Sequence, residues 1–287
     1  MRERRAHGYL FVAPSAAILF LVALCPIAFA VWLSLRRVIL VFHEDRFVGL
    51  ANYSFLVRDD RFFSALGNTA YFTVVSLAVE IGLGLPIAVL LGRAFRGRGA
   101  LRAAVLVPWA IPTVVSARMW AWMWNPDYGL ITRVLHTRDV DFLGTPAYAM
   151  HAAILVDVWK STPFVALLLL AGLAGIPEEL YRAARVDGAS RRRMFFAITL
   201  PLLRPALAVT VLFRALDALR VFDAIYVLTG GGPANTTETL SIYAYKTMMR
   251  SGDFGYGSTL AVATFLVVLL ASALYLRTIG RSAGVGQ

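Results

Sequence analysis

Four charged residues, Arg214, Asp217, Arg220 and Asp223, recur every third position and alternate in sign inside an otherwise apolar stretch. An ionisable group in the middle of a membrane helix costs about 2.5–3.5 kcal/mol on insertion scales, so such a row needs mutual support or a function. Two chemistries fit. Neighbours three residues apart on a helix can pair along it and lower one another's cost. Carboxylates beside guanidinium forks also suit hydrogen bonds to the hydroxyls of a polar solute such as a sugar. Both remain open at this level. Asp157, Trp159 and Lys160 extend the set. Lys160, one of two lysines with Lys246, can line a solute path or extend its ammonium toward the surface. Trp159 can stack on a sugar ring or simply pack. Asn68 and Thr69 open a second apolar stretch, as helix caps or as groups facing a path. Glu80 is a further acid inside that stretch and has no evident partner.

Other chemistries are excluded by what the chain lacks. Lys160 follows Trp159 and Lys246 follows Tyr245, so there is no Gly-Lys pair and no phosphate-binding loop of the Gly-x-x-x-x-Gly-Lys kind. His7, His43, His136 and His151 are dispersed, without a His-Glu-x-x-His pattern, and there is no Gly-x-Ser-x-Gly elbow. No catalytic residue, metal ligand or bound cofactor is therefore expected on this chain. The one cysteine, Cys25, cannot form an intrachain disulfide, follows a leucine too bulky for a lipidation site, and reads as a buried thiol.

The elements that must position these residues follow from composition. Apolar residues make up 59% of the chain and charged residues only 16%, which points to a protein crossing the membrane several times. The net charge of +11 sits in short segments between apolar runs, so nucleic-acid binding is excluded. Six stretches are long enough for spanning helices: Leu10–Leu35, Thr69–Leu91, Leu101–Trp124, Ala149–Leu173, Leu202–Leu228 and Tyr256–Leu276. The first begins near Tyr9, behind the charged Met1–Arg5, and is too long for the core of a cleaved leader, so it reads as a retained span. With no internal repeat, the expected fold is all-α, a single transmembrane domain over residues 1–287.

Basic residues alternate sides. Arg2, Arg4 and Arg5, then Arg93, Arg96, Arg98 and Arg102, then Arg182, Arg185 and Arg191 to Arg193, then Arg277 and Arg281, fall on one side. The positive-inside rule makes that side cytoplasmic, with both termini on it. Arg36 and Arg37 violate the pattern, which a first helix running beyond the membrane would accommodate. Trp120, Trp122 and Trp124 read as an aromatic anchor at the outer end of the third span.

The cytoplasmic connection between spans four and five is the most informative segment. From Pro177 to Ala189 it reads as a short amphipathic helix. Pro177 suits its first turn, and Glu178 and Glu179 lie at its positive end. Leu180, Ala183 and Ala184 share a face, and Gly188 suits a left-handed stop. Such a helix can dock into a groove of another protein or rest on lipid.

Ala183-Ala184, Asp187-Gly188-Ala189 and Ile198-Thr-Leu-Pro201 together resemble the EAA loop of binding-protein-dependent ABC importer permeases. Arg182 departs from that pattern, which carries glutamate before the two alanines. Phe47–Tyr53 with Ala65–Thr69, Tyr226–Pro233 with Thr237, and Gly255-Tyr-Gly257 are similar to the external segments of the maltose and trehalose type of these permeases. Trp159–Phe164 and Phe213–Asp217 resemble the same group. The resemblance runs over nearly the whole chain.

It implies a six-span permease in a bacterial inner membrane, working with a second related permease, two ATP-binding subunits that hold ATP and Mg, and an extracytoplasmic sugar-binding protein. It implies that Glu178, Glu179, Leu180, Arg182, Ala183, Ala184, Asp187, Gly188 and Ala189 couple the chain to an ATPase. The cargo is expected to be a disaccharide such as trehalose or maltose, passing Asn68, Asp157, Trp159, Lys160, Arg214, Asp217, Arg220 and Asp223. Glycerol 3-phosphate or another carbohydrate is the alternative cargo. An ion-coupled secondary transporter or a lipid-modifying membrane enzyme are the alternative classes.

Overall fold

The computed structural model describes residues 13–15 and 17–282. Arg2, Arg4, Arg5 and the expected start of the first span at Leu10 lie outside them, as does the side chain of Arg281. In chain order the elements begin with α1 (Ala13–Ser34), the hairpin strands β1 (Arg36–Ile39) and β2 (Glu44–Phe47), α2 (Ala51–Leu56) and α3 (Asp60–Gly92). Next come α4 (Arg98–Ala110), α5 (Thr113–Met123), α6 (Leu130–Val134), α7 (Pro146–Ala174) and α8 (Glu178–Val186). The chain ends with α9 (Arg191–Ala218), α10 (Asp223–Leu228), α11 (Leu240–Tyr245) and α12 (Phe254–Ser282).

Helices α1, α3, α7, α9 and α12 are each long and apolar enough to cross a bilayer. The expected third span is not one helix. It is α4 and α5, bent by 89°. The cause is local: Pro112 has no N–H to continue α4, and Ile111 before it is pushed to an extended conformation, ψ 133°. Neither half crosses alone, since 13 and 11 residues rise only about 20 and 17 Å against a core of about 30 Å.

The fifth span also differs from expectation. Helix α9 starts well before Leu202, in the arginine segment, and ends at Ala218. The backbone then breaks, with Phe222 at φ −136°, ψ −63°, before α10. Arg220 and Asp223 are therefore not on the helix that carries Arg214 and Asp217. The second span begins at Asp60, so Asn68 and Thr69 sit inside α3 and cap nothing.

Arg36 and Arg37 do not lie on an extension of helix α1 as expected. That helix ends at Ser34, and Arg36 and Arg37 enter an antiparallel hairpin, the only sheet among the described residues. There Arg36 pairs with Asp45 at 2.8 Å, Arg37 with Glu44 at 3.1 Å and Arg46 with Glu44 at 2.9 Å. The acids of the hairpin neutralise the arginines that broke the charge rule. Cys25 is exposed on α1, not buried as expected, because that apolar helix packs on almost nothing in the isolated chain.

The chain divides into two compact units. The first comprises Met1–Ser64 with Leu240–Val267. In it Asn52 donates to the carbonyls of Ser34 and Arg36, at 2.8 and 2.9 Å, and fastens the hairpin to the end of α1. The second comprises Ala65–Thr239 with Val268–Gln287. Its centre is α7, the most buried of the spans. Ala88 of α3, Val165 and Leu169 of α7 and Leu203 of α9 form its apolar core. Gly172 lets α9 approach α7: a Cβ there would stand 2.4 Å from that of Ala206. Small residues at helix crossings supply the close packing that membrane bundles rely on.

Candidate functional site

Three spans converge on one guanidinium. Arg214 of α9 is 1% exposed. Its Nε and Nη2 donate to Oε2 and Oε1 of Glu80 on α3, at 2.6 and 2.8 Å, a bidentate fork. Nη2 also reaches Oδ2 of Asp157 on α7. Nη1 donates to Oδ2 of Asp217, one turn along α9, at 2.7 Å. A planar fork with five donors is the side chain that can satisfy three carboxylates at once. Away from water Arg214, Glu80 and Asp157 would each be costly alone, and removing one partner of such a buried pair costs about 3–5 kcal/mol.

The structure thus brings together Asp157, Arg214 and Asp217 from the expected pathway set and adds Glu80, for which the sequence offered no partner. The members differ in access. Glu80 and Arg214 are enclosed, whereas the Asp217 side chain is 73% exposed. Oδ1 of Asp217 has no hydrogen bond among the described residues and can accept one from a passing hydroxyl.

The other candidates hydrogen-bond elsewhere, although Lys160 stays within electrostatic reach of Asp157 and Asp217. Asn68 donates to the carbonyls of Asn235 and Glu238, at 3.2 and 3.1 Å, and so ties α3 to the loop after α10. Trp159 is half-buried, edge-on to Trp120 with ring centres 5.5 Å apart. Lys160 sends its ammonium to the carbonyl of Ile111 at 2.5 Å and that of Trp109 at 3.4 Å, inward to the break between α4 and α5 rather than toward the surface. Arg220 donates to the Leu216 carbonyl at 2.9 Å, and Asp223 opens α10. Of the tryptophans expected as an anchor, Trp122 is exposed, while Trp120 and Trp124 pack on Trp159 and Phe142.

The loop between α7 and α9 folds as its residues require. Pro177 takes the position just before α8, with Glu178 and Glu179 in the first turn. Gly188 adopts φ +74°, and around it Gly188 N–H bonds the Arg185 carbonyl at 3.1 Å and Ala189 N–H the Ala184 carbonyl at 2.9 Å. This is a Schellman closure, and only glycine enters its left-handed position without strain. Ser190 then caps α9, its Oγ accepting from the N–H of Arg193 at 3.3 Å. Arg182, which stands where the resembled pattern has glutamate, pairs with Glu178 one turn back at 3.5 Å. Leu180 and Val186 are 42% and 87% exposed on a helix that buries none of its side chains. Tyr181 reaches back, sharing a hydrogen bond of 2.9 Å with Thr199 of α9.

On the opposite side Thr237 shapes the Gly230–Pro233 turn. It bonds the Gly232 carbonyl at 2.7 Å and the Thr229 hydroxyl at 2.6 Å. In the first unit Asp59 collects the hydroxyls of Tyr243 and Tyr256 on one oxygen, at 2.6 and 2.5 Å, a clamp that the sequence did not signal. Burial would raise the Asp59 carboxyl. The two tyrosine hydroxyls and the N–H groups of Arg61 and Phe62 outweigh burial and hold it below the usual range.

This architecture, together with the matched family model, defines a class, the inner-membrane components of binding-protein-dependent transport systems. A chain of a bacterial alginate ABC transporter, crystallised in complex with an alginate pentasaccharide-bound periplasmic protein, superimposes with a TM-score of 0.83 at 23% identity over 97% of this chain and 96% of that one. Residues 81–280 match the family described as binding-protein-dependent transport system inner membrane component, and the chain belongs to that family. It is 45% identical to the trehalose/maltose transport system permease protein MalF of Thermococcus litoralis, over 96% of this chain and 93% of that one. It is 40% identical to the trehalose transport system permease protein SugA of Mycobacterium tuberculosis, over 100% of this chain and 92% of that one. The expected membership in this permease family and the all-α membrane fold hold, with five helices long enough to cross and a sixth crossing if the bent α4–α5 pair counts as one.

Proposed function

We propose that this chain is one of two permease subunits of an ATP-driven importer and passes a neutral disaccharide, trehalose or maltose, across the inner membrane. The full-length similarity to two permeases named for trehalose or maltose transport carries this reading. The charge cluster supports it: one guanidinium is already engaged by three carboxylates, which leaves an acceptor at Asp217 for a hydroxyl, and with Lys160 counted the acids still outnumber the cations, which disfavours a phosphate ester such as glycerol 3-phosphate.

An extracytoplasmic binding protein delivers the sugar on the side of the Gly230–Pro233 turn. Two ATP-binding subunits, which hold ATP and Mg, receive the exposed face of α8 on the other side, where both termini also lie. Their closure is passed through Glu178–Ala189, and access to the path alternates between two states. An ion-coupled transporter would leave this capped, outward-facing loop without a task.

The test is the complete complex in proteoliposomes with its binding protein. Trehalose or maltose should stimulate ATP hydrolysis and accumulate inside. Stimulation by phosphorylated polyols alone would reject the neutral-sugar reading. Accumulation driven by an ion gradient without ATP would reject the importer.

A further inference from the structure

At the 89° break the last carbonyls of α4 lose their helical partners, because Pro112 has no N–H and the chain turns away. Inside a bilayer no water replaces them. Lys160 of α7 fills that need, with its ammonium on the carbonyls of Ile111 and Trp109. A cation at the carbonyl end of a helix also meets the negative end of its dipole. One turn on, Phe164 stacks on Trp109, with centres 5.8 Å apart and planes 17° apart, so two successive turns of α7 hold the same turn of α4.

What leaves the break is α5, and it packs against α10, the helix that follows the interruption of the fifth span. That second break is held likewise, by Thr239 Oγ1 on the Val221 carbonyl at 3.1 Å. Along α5 and at its C-cap, Ser116 Oγ and the indole N–H groups of Trp120 and Trp124 are buried with no hydrogen-bond partner among the described residues. These groups give α5 no polar anchor, so its direction is set by its start at the break and by packing on α10 and Trp159.

We propose that Lys160 is a positioning residue for transport: by holding the carbonyl end of α4 it sets the angle at which α5 departs, and with it the placement of the α5–α10 pair. It does not touch the sugar. This rests on the importer reading above.

The experiment compares K160M, K160R and wild type in the complete reconstituted complex. Two readouts are used: sugar uptake with ATP hydrolysis, and labelling of V114C, in a C25S background, by a membrane-impermeant maleimide. In K160M, uptake per ATP should fall and V114C labelling should change, each by about fivefold or more, while the sugar concentration for half-maximal uptake stays within about twofold. K160R, which keeps the donors, should stay near wild type. Wild-type coupling and labelling in K160M would overturn the proposal. So would a shift of about tenfold in half-saturation with coupling intact, which would make Lys160 a sugar contact. If K160M does not assemble, K160Q is measured in its place, and failure of both to assemble would overturn a role in transport in favour of one in folding. The labelling needs no sugar, so a wild-type complex that no disaccharide stimulates would reject the importer reading while the Lys160 comparison still stands.

Discussion

Glu80 and Arg214 stand 134 positions apart in sequence and meet in a two-pronged pair with both side chains enclosed, 0% and 2% exposed. The pair fastens α3 to α9, and the reach of the same guanidinium to Asp157 fastens α9 to α7. The convergence of three spans is thus a matter of one side chain's hydrogen-bonding capacity.

Replacing Arg214 with methionine strands three carboxylates and should destabilise the protein by about 3–5 kcal/mol. Thermal unfolding of the purified complex measures this. The double substitution E80L/R214L should recover part of the loss, since it removes the most deeply enclosed charge together with its partner.

Asp217 should behave differently, because its carboxylate is exposed. D217N should leave unfolding within about 0.5 kcal/mol of wild type, as for other exposed substitutions. Half-saturation for disaccharide uptake should rise by about tenfold, the loss expected when a charged hydrogen-bond acceptor is weakened. Unchanged uptake kinetics would make this group purely structural.

Gly188 holds φ +74°. A valine there pays about 1–2 kcal/mol for the left-handed conformation and opens the Schellman closure. G188V should lose sugar-stimulated ATP hydrolysis while the complex keeps its affinity for the binding protein. Sugar-stimulated hydrolysis at the wild-type rate would refute a coupling role for this loop.

The Asp59 clamp should be sensitive to acid. Its carboxyl titrates below the usual range in the folded protein, so its contribution is present above the unfolded value of about 3.9 and is lost as pH falls through the lower folded value. Unfolding midpoints of wild type and D59N should differ at pH 6 and converge below about pH 4. A difference that persisted undiminished into that range would argue against the clamp.

Much of the fold was legible because it rests on local chemistry. The apolar runs located α7 and α12 closely, and Pro177 and Gly188 marked the limits of α8. The break at Ile111-Pro112 carried a signal, an extended residue before proline, which the length of the apolar run obscured. The break after Ala218 carried none, since no proline or glycine lies between it and Asp223. The hairpin turn was hidden because His43, not glycine or asparagine, adopts the positive φ of 54°. The cluster was half legible. Spacing pointed to Arg214 and Asp217, but no periodicity along one helix can announce a partner on another, and Glu80 stayed unpaired until the spans were packed.

Only Asp187 to Ser190 separate α8 from α9, and the backbone there is bonded at both ends by the glycine closure and the serine cap. Tyr181 and Thr199 brace the same corner. Such an elbow has no slack. A force applied to α8 would be delivered to the foot of α9 instead of being absorbed in a flexing loop. Because α9 is bolted through Arg214 to α3 and α7, a displacement of its foot would carry the three rods together as a lever.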